Sequence, residues 1–187
     1  MHEQLQHRIR ADFPDVLWTR VLKHWGIECG TGWGLLVYGF ISDASVLCNE
    51  AGGSLEIAQI KEKFGQLHIY CTLRGAKERK AKYDYEPEFF SRIATSRPYP
   101  QNPILRTLVD YYQEASSGFC EMCGKPGHID EVVTAKTGWL RALCFDHSTL
   151  MINADEHEPL QPLLEAIDEK TCERMLVRID EMRAKSV

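Results

Sequence analysis

The sequence predicts an α+β fold: helices with an antiparallel β-hairpin, then a metal-stapled unit, then a C-terminal helix. Three observations predict it. Cys120-x-x-Cys123 and Cys144-x-x-His147 are separated by twenty residues, the spacing of two ligand pairs. Leu67, Ile69, Cys71 and Leu73 alternate with His68, Tyr70, Thr72 and Arg74, the period of a half-buried strand. Apolar residues recur at helical spacing in two long runs, Trp33 to Cys48 and Leu160 to Met182. The expected division is a helix and hairpin part over 1–117, with an irregular insertion at about 75–103, a zinc unit over 118–150 and the last helix over 151–187.

The chain has 187 residues, 44% of them apolar, which suits one compact domain or a domain with a small appendage. Its net charge of −5 argues against broad, non-specific nucleic-acid binding. "MHEQLQHRIRADFPDV" is polar and has no signal-peptide core. The apolar runs are expected to fall short of the roughly 20 residues that cross a bilayer. A cytoplasmic protein with no membrane partner is expected. Cysteine usage agrees, because seven is an odd count and Cys29, Cys48, Cys71 and Cys172 stand alone. Those four read as small buried hydrophobes.

"DFPDVLWTRVLKHWG" reads as a short helix after Pro14, capped by Asp15, with Leu17, Val21 and Trp25 as its face. "IECGTGWG" reads as a tight turn; it lacks the lysine and spacing of a phosphate loop. The next helix carries Trp33, Leu36, Val37, Phe40, Ile41, Ala44, Leu47 and Cys48 on one side and stops at Gly52-Gly53. Leu55–Lys61 is expected to pair with the alternating strand through a turn at Lys63-Phe64-Gly65-Gln66. "ILRTLVDYYQEASSG" resumes helical spacing and Gly118 stops it.

In the metal segment, two thiolates two residues apart grip one ion from a tight turn, and a second pair closes the tetrahedron. Zinc prefers such sulfur and nitrogen ligands, and a site with four protein ligands is structural. Cys120, Cys123, Cys144 and His147 are the expected ligands of a structural Zn²⁺. His128 and His157 are the alternatives to His147, which has the better spacing. Gly124 and Gly127 suit a metal knuckle. "HIDEVVTAKTGWLRALC" reads as a hairpin turning near Lys136-Thr137-Gly138, with Cys144 and His147 at a helix start. Knuckle, hairpin and helix start make a treble-clef-like unit. A redox CxxC needs a strand before it and a helix after it; here a helix precedes and glycines follow.

Four protein ligands leave no position for a reacting water, so the zinc is not expected to be catalytic. The zinc deaminase pattern needs a histidine-x-glutamate element, and none precedes Cys120. Cys29 lies beside Glu28 and near His24, which suggests a thiol enzyme only by proximity in sequence. "KEKFGQLHIYCTLRGAKERKAK" interleaves cations with Phe64, His68 and Tyr70. Lys63, Arg74, Lys77, Arg79, Lys80 and Lys82 are the candidate nucleic-acid contacts within a Lys61–Lys82 strip. The simpler reading is a solvated hairpin face with Phe64 in the core. The last helix bears Glu165, Asp168, Glu169, Glu173, Asp180 and Glu181 on its outer side. It packs on the domain or pairs with a second copy as a homodimer.

"CEMCG…IDEVVTAKTGWLRALCFDH" resembles, at the level of the scaffold, the endonuclease-VII branch of the His-Me finger nucleases. That resemblance implies a CxxC pair followed by an aspartate–histidine element; this chain has Asp130 and then "EVV", without the histidine that would activate water. A broader likeness covers about two-thirds of the chain. "IECGTGWG", "IKEKFGQLHIY" and "CEMCGKPG…GWLRALCFDH", in this order, resemble a group of uncharacterised small bacterial and phage proteins. This likeness implies a phage or mobile-element setting, with host takeover or anti-defence as the role. The expected function is a non-catalytic binding or inhibitory protein that occludes an unidentified protein partner. Nucleic-acid binding is the alternative, and a degenerate nuclease the third reading. Stripping the metal is expected to melt the C-terminal third.

Overall fold

The structure is a computed structural model that describes residues 1–75, 102–132, 139–153 and 160–185. The insertion expected at about 75–103, with Lys77, Arg79, Lys80 and Lys82, therefore lies almost wholly outside the described residues. So do the hairpin turn Lys136-Thr137-Gly138 and His157. The elements are α1 (Glu3–Asp12), β1 (Leu17–Trp18), α2 (Arg20–Trp25), a 3₁₀ turn (Thr31–Trp33), α3 (Gly34–Glu50), β2 (Ser54–Lys63), β3 (Gln66–Arg74), α4 (Pro103–Ser116), β4 (His128–Val132), β5 (Trp139–Leu143), α5 (Phe145–Asn153) and α6 (Leu160–Lys185). The fold is α+β, as expected, with a three-stranded sheet in the order β1-β2-β3 and a separate β4-β5 pair.

The N-terminal stretch, read above only as polar, is helix α1. Its apolar content is narrow: Leu5 and Ile9, one turn apart, both fully buried. The following helix differs from the expectation. Leu17–Trp18 instead pairs in parallel with Glu56–Ile57 of β2, and α2 begins only after Thr19, whose hydroxyl caps it. Strand pairing takes residues 17 and 18 out of the helical register. The buried residue of α2 is thus Leu22, while Leu17, Val21 and Trp25, the expected inner face, are exposed.

Helix α3 is the centre of the core, with Val37, Phe40, Ile41, Ala44 and Cys48 inaccessible to solvent. Thr31–Glu50 spans 20 residues at a mean hydropathy of 1.2, so it has the length and composition of a membrane span, contrary to the reading of the sequence. Its buried side, Val37, Phe40, Ile41, Ala44 and Cys48, lines the protein interior, while Val46 is exposed.

The β2–β3 hairpin forms about the expected turn, its register running from Ser54↔Arg74 to Lys63↔Gln66 with one bulge at Ala58. Leu55, Ile57, Ile60, Leu67, Ile69 and Cys71 point into the core. Phe64 does not: it is 73% exposed at the tip. Helix α4 covers β3. The Ser116 hydroxyl accepts a bond from the Leu67 N–H at 2.8 Å and donates to the Gln113 carbonyl at 2.6 Å. Phe40 meets the Tyr112 ring edge-on at 5.7 Å, and the Tyr112 hydroxyl donates to Asp43 at 2.7 Å.

Helix α6 returns to the N-terminal elements. Thr171, Cys172, Met175 and Ile179 are buried against α1, α3 and the 3₁₀ turn. The Asp12 carboxylate gathers this corner: it accepts from Arg8 at 2.8 Å, from the Tyr38 hydroxyl at 3.1 Å and from Arg183.

Candidate metal centre

The CxxC segment leaves α4 at Ser116 and turns on itself. The Gly124 N–H donates to the Cys120 carbonyl at 2.7 Å, and the Cys120 N–H to the Lys125 carbonyl at 2.8 Å. Gly124 has φ +69°, a conformation that a Cβ disfavours, so glycine lets the knuckle close. Across from it, β5 ends at Leu143 and α5 begins, with the Ser148 N–H on the Cys144 carbonyl at 2.9 Å. His147 lies within the first turn of α5, on the side facing the knuckle.

The four expected ligands meet. Cys120 Sγ lies 3.3 Å from His147 Nδ1, Cys144 Sγ 3.4 Å from the same nitrogen, and Cys123 Sγ 3.8 Å from Cys144 Sγ. All four ligand atoms lie within 4.8 Å of one another. A tetrahedron with ~2.3 Å metal–sulfur and ~2.0 Å metal–nitrogen bonds has edges of roughly 3.8 Å and 3.5 Å. The spacing matches one shared ion, and a disulfide at about 2.05 Å does not fit it.

The environment is buried and favours the neutral side chains. The three cysteines are buried and His147 is half-buried. Burial pushes the Cys123 thiol up to about 12, and it raises Cys120 as well. Burial also lowers His147, which keeps its imidazole neutral and able to coordinate. The Cys120 and Cys123 thiols would give up their protons to a bound metal ion, whose charge offsets the cost of burial. These residues can therefore hold a metal ion. His128, the alternative ligand within the described residues, is exposed at the start of β4 and outside the cluster.

The knuckle is docked as well as closed. The Gly32 N–H donates to the Glu121 carbonyl at 2.8 Å, and the Trp33 indole N–H donates to the Phe119 carbonyl at 2.8 Å. A Cβ on Gly32 would stand 2.3 Å from the Cys120 carbonyl oxygen and 2.4 Å from the Gly124 nitrogen. "GTGWG" is thus the seat of the metal knuckle, a function that its reading as a simple turn missed. The signal was present as two closely spaced glycines before a tryptophan. From α6, Arg174 donates to the Cys123 carbonyl. Glu121, between the two knuckle cysteines, is 1% exposed and ion-paired with Arg141 of β5. Burial raises its pKa, and Arg141 opposes that shift.

No family model, curated protein or solved structure matches this chain.

The other candidate residues fall elsewhere. Arg74 is committed to Glu56 through two bonds of 2.5 and 3.1 Å, which leaves it a weak phosphate contact. Lys63 is exposed at the end of β2. Cys29 is buried, and burial pushes its thiol up to about 12, so it is not a thiolate nucleophile at neutral pH. Its sequence neighbours turn away: the Glu28 carboxylate accepts from Gln59 at 2.7 Å, and the exposed His24 stacks edge-on with Trp25.

Proposed function

We propose that this chain is a non-catalytic binding protein whose fold is stapled by structural zinc, and that it acts by occluding the surface of a protein partner. One observation carries the reading: four soft ligand atoms, all from the protein, sit within 4.8 Å of one another in a largely buried pocket. Such a set favours zinc over harder cations and fills the tetrahedron, so the ion supplies rigidity instead of chemistry. The resemblance of the three motifs supports a phage or mobile-element setting, with host takeover or anti-defence as the role.

Purified protein is expected to carry one zinc per chain by elemental analysis and to lose it in Cys120→Ser and His147→Ala. Full retention in both variants would overturn the ligand assignment. Occlusion of a protein is expected to give a complex that survives raised salt. A nucleic-acid reading is favoured by one contact, the Lys61 Nζ 5.6 Å over the Tyr70 ring on the outer hairpin face. That reading requires affinity that falls steeply with salt and is removed by reversing Lys61 and Lys63.

A further inference from the structure

The tip of the β2–β3 hairpin carries a residue that its local structure does not want. Lys63 pairs with Gln66, so the loop is only Phe64 and Gly65. Both have positive φ, +55° and +74°, the pattern of a type I′ turn. The first position of such a turn suits asparagine, aspartate or glycine, whose short side chains tolerate the left-handed region. A phenylalanine there strains the backbone. It also gains nothing from burial, since Phe64 is 73% exposed and stands outside the core cluster. Gly65 and the Glu62 carboxylate, which accepts the Gly65 N–H at 2.8 Å, already hold the turn. Neither conformation nor packing accounts for Phe64.

The surroundings define the chemistry. Lys63 is exposed next to the ring, and Lys61 lies opposite His68 on the same outward face, over Tyr70. The Glu62 carboxylate is turned into the loop, where it accepts the Gly65 N–H. The tip is therefore a rigid aromatic knob with cations behind it, on a chain whose net charge is −5. We propose that Phe64 is the anchor that this protein inserts into an apolar pocket of its partner, and that Lys61 and Lys63 face carboxylates on the rim of that pocket. The proposal rests on the binding role above and assigns its surface. Phe64 stands at the loop tip while His68 and Tyr70 lie further along the strand, an arrangement that suits insertion into a protein pocket better than stacking along a nucleic-acid strand.

Phe64→Asn separates binding from folding, because asparagine suits the turn. The variant is expected to melt at or above the wild-type temperature, and a fall of several degrees would show that Phe64 is structural and overturn the proposal. Full-length tagged protein and the variants Phe64→Asn and Lys61→Glu/Lys63→Glu are then used to capture partners from host extract. The expected result is a salt-stable protein complex whose recovery falls about tenfold or more with Phe64→Asn, the loss typical of an anchor residue. A smaller fall is expected with the charge reversals. A complex retained by Phe64→Asn overturns this surface and leaves the binding role standing. No salt-stable complex with the wild type overturns the binding role itself. A single-stranded oligonucleotide probe that binds wild type and is lost in Phe64→Asn overturns the protein partner in favour of nucleic acid.

Discussion

Glu121 shows how much one side chain here depends on another. Its carboxylate is buried, in a residue flanked in the chain by the candidate metal ligands Cys120 and Cys123, and Arg141 is its charged partner. Removing Arg141 leaves a buried charge without compensation, which costs about 3 kcal/mol. Arg141→Ala is therefore expected to lower the unfolding free energy from urea melts by about that amount. Glu121→Gln/Arg141→Leu is expected to recover part of it, because no charge is then left inside. Cys29 is expected to be silent. With its thiol near 12, it stays protonated and unlabelled by maleimide in native protein, and labels on unfolding. His68 sets a pH dependence. Burial, with Lys63 and Lys61 nearby, lowers its pKa below the ordinary 6.5, so the fold favours the neutral ring. The unfolded chain takes up that proton first as pH falls. The contribution of His68 is thus complete above 6.5 and lost on acidification through its lowered folded value. His68→Gln is expected to flatten the stability profile in that window, measured by urea melts across pH.

Between elements, the decisive contact is that of the 3₁₀ turn with the metal knuckle. Gly32 touches the backbone at Cys120, Cys123 and Gly124, and backbone cannot swing aside as a flexible side chain can. Gly32→Ala is expected to cost about 2–3 kcal/mol and to weaken metal retention, since overpacking of this kind forces main-chain shifts. Gly118→Ala is the control, because its nearest atom would be the Ala115 carbonyl oxygen at 3.5 Å, an ordinary contact. Equal effects at the two glycines would refute the docking argument.

At the scale of the whole molecule, the metal unit is tied to the core by three contacts, two from the 3₁₀ turn and one from α6. Trp33, fully buried beside α3, holds the Phe119 carbonyl; Gly32 holds Glu121; and Arg174 of α6 holds Cys123. Zinc in small modules contributes roughly 10–16 kcal/mol of apparent binding energy that is also folding energy. These ties widen the effect expected from the sequence, in which chelation melts the C-terminal third. Chelation is now expected to lower one cooperative transition, seen alike by far-ultraviolet circular dichroism and by tryptophan fluorescence. A fluorescence transition that stays in place while helicity falls would restrict the loss to the metal unit.

The sequence by itself determined what depends on local period and spacing. Strand β3 follows from strict alternation, α3 and α4 from long apolar stripes, and the four candidate metal ligands from two pairs whose spacing suits a knuckle and a helix turn. It did not reveal α1, whose stripe of Leu5 and Ile9 is too narrow to stand out from its polar neighbours. It also put the wrong side of α2 inside, because strand pairing of Leu17 and Trp18 with β2 is a non-local event that resets the helical register. The placement of Phe64 followed from hydrophobicity, whereas a two-residue turn points that ring to solvent. Only the tertiary structure joined "GTGWG" to "CEMCG". Those stretches are far apart in the chain, and their fit rests on backbone atoms meeting without a Cβ between them, a condition that no local pattern encodes.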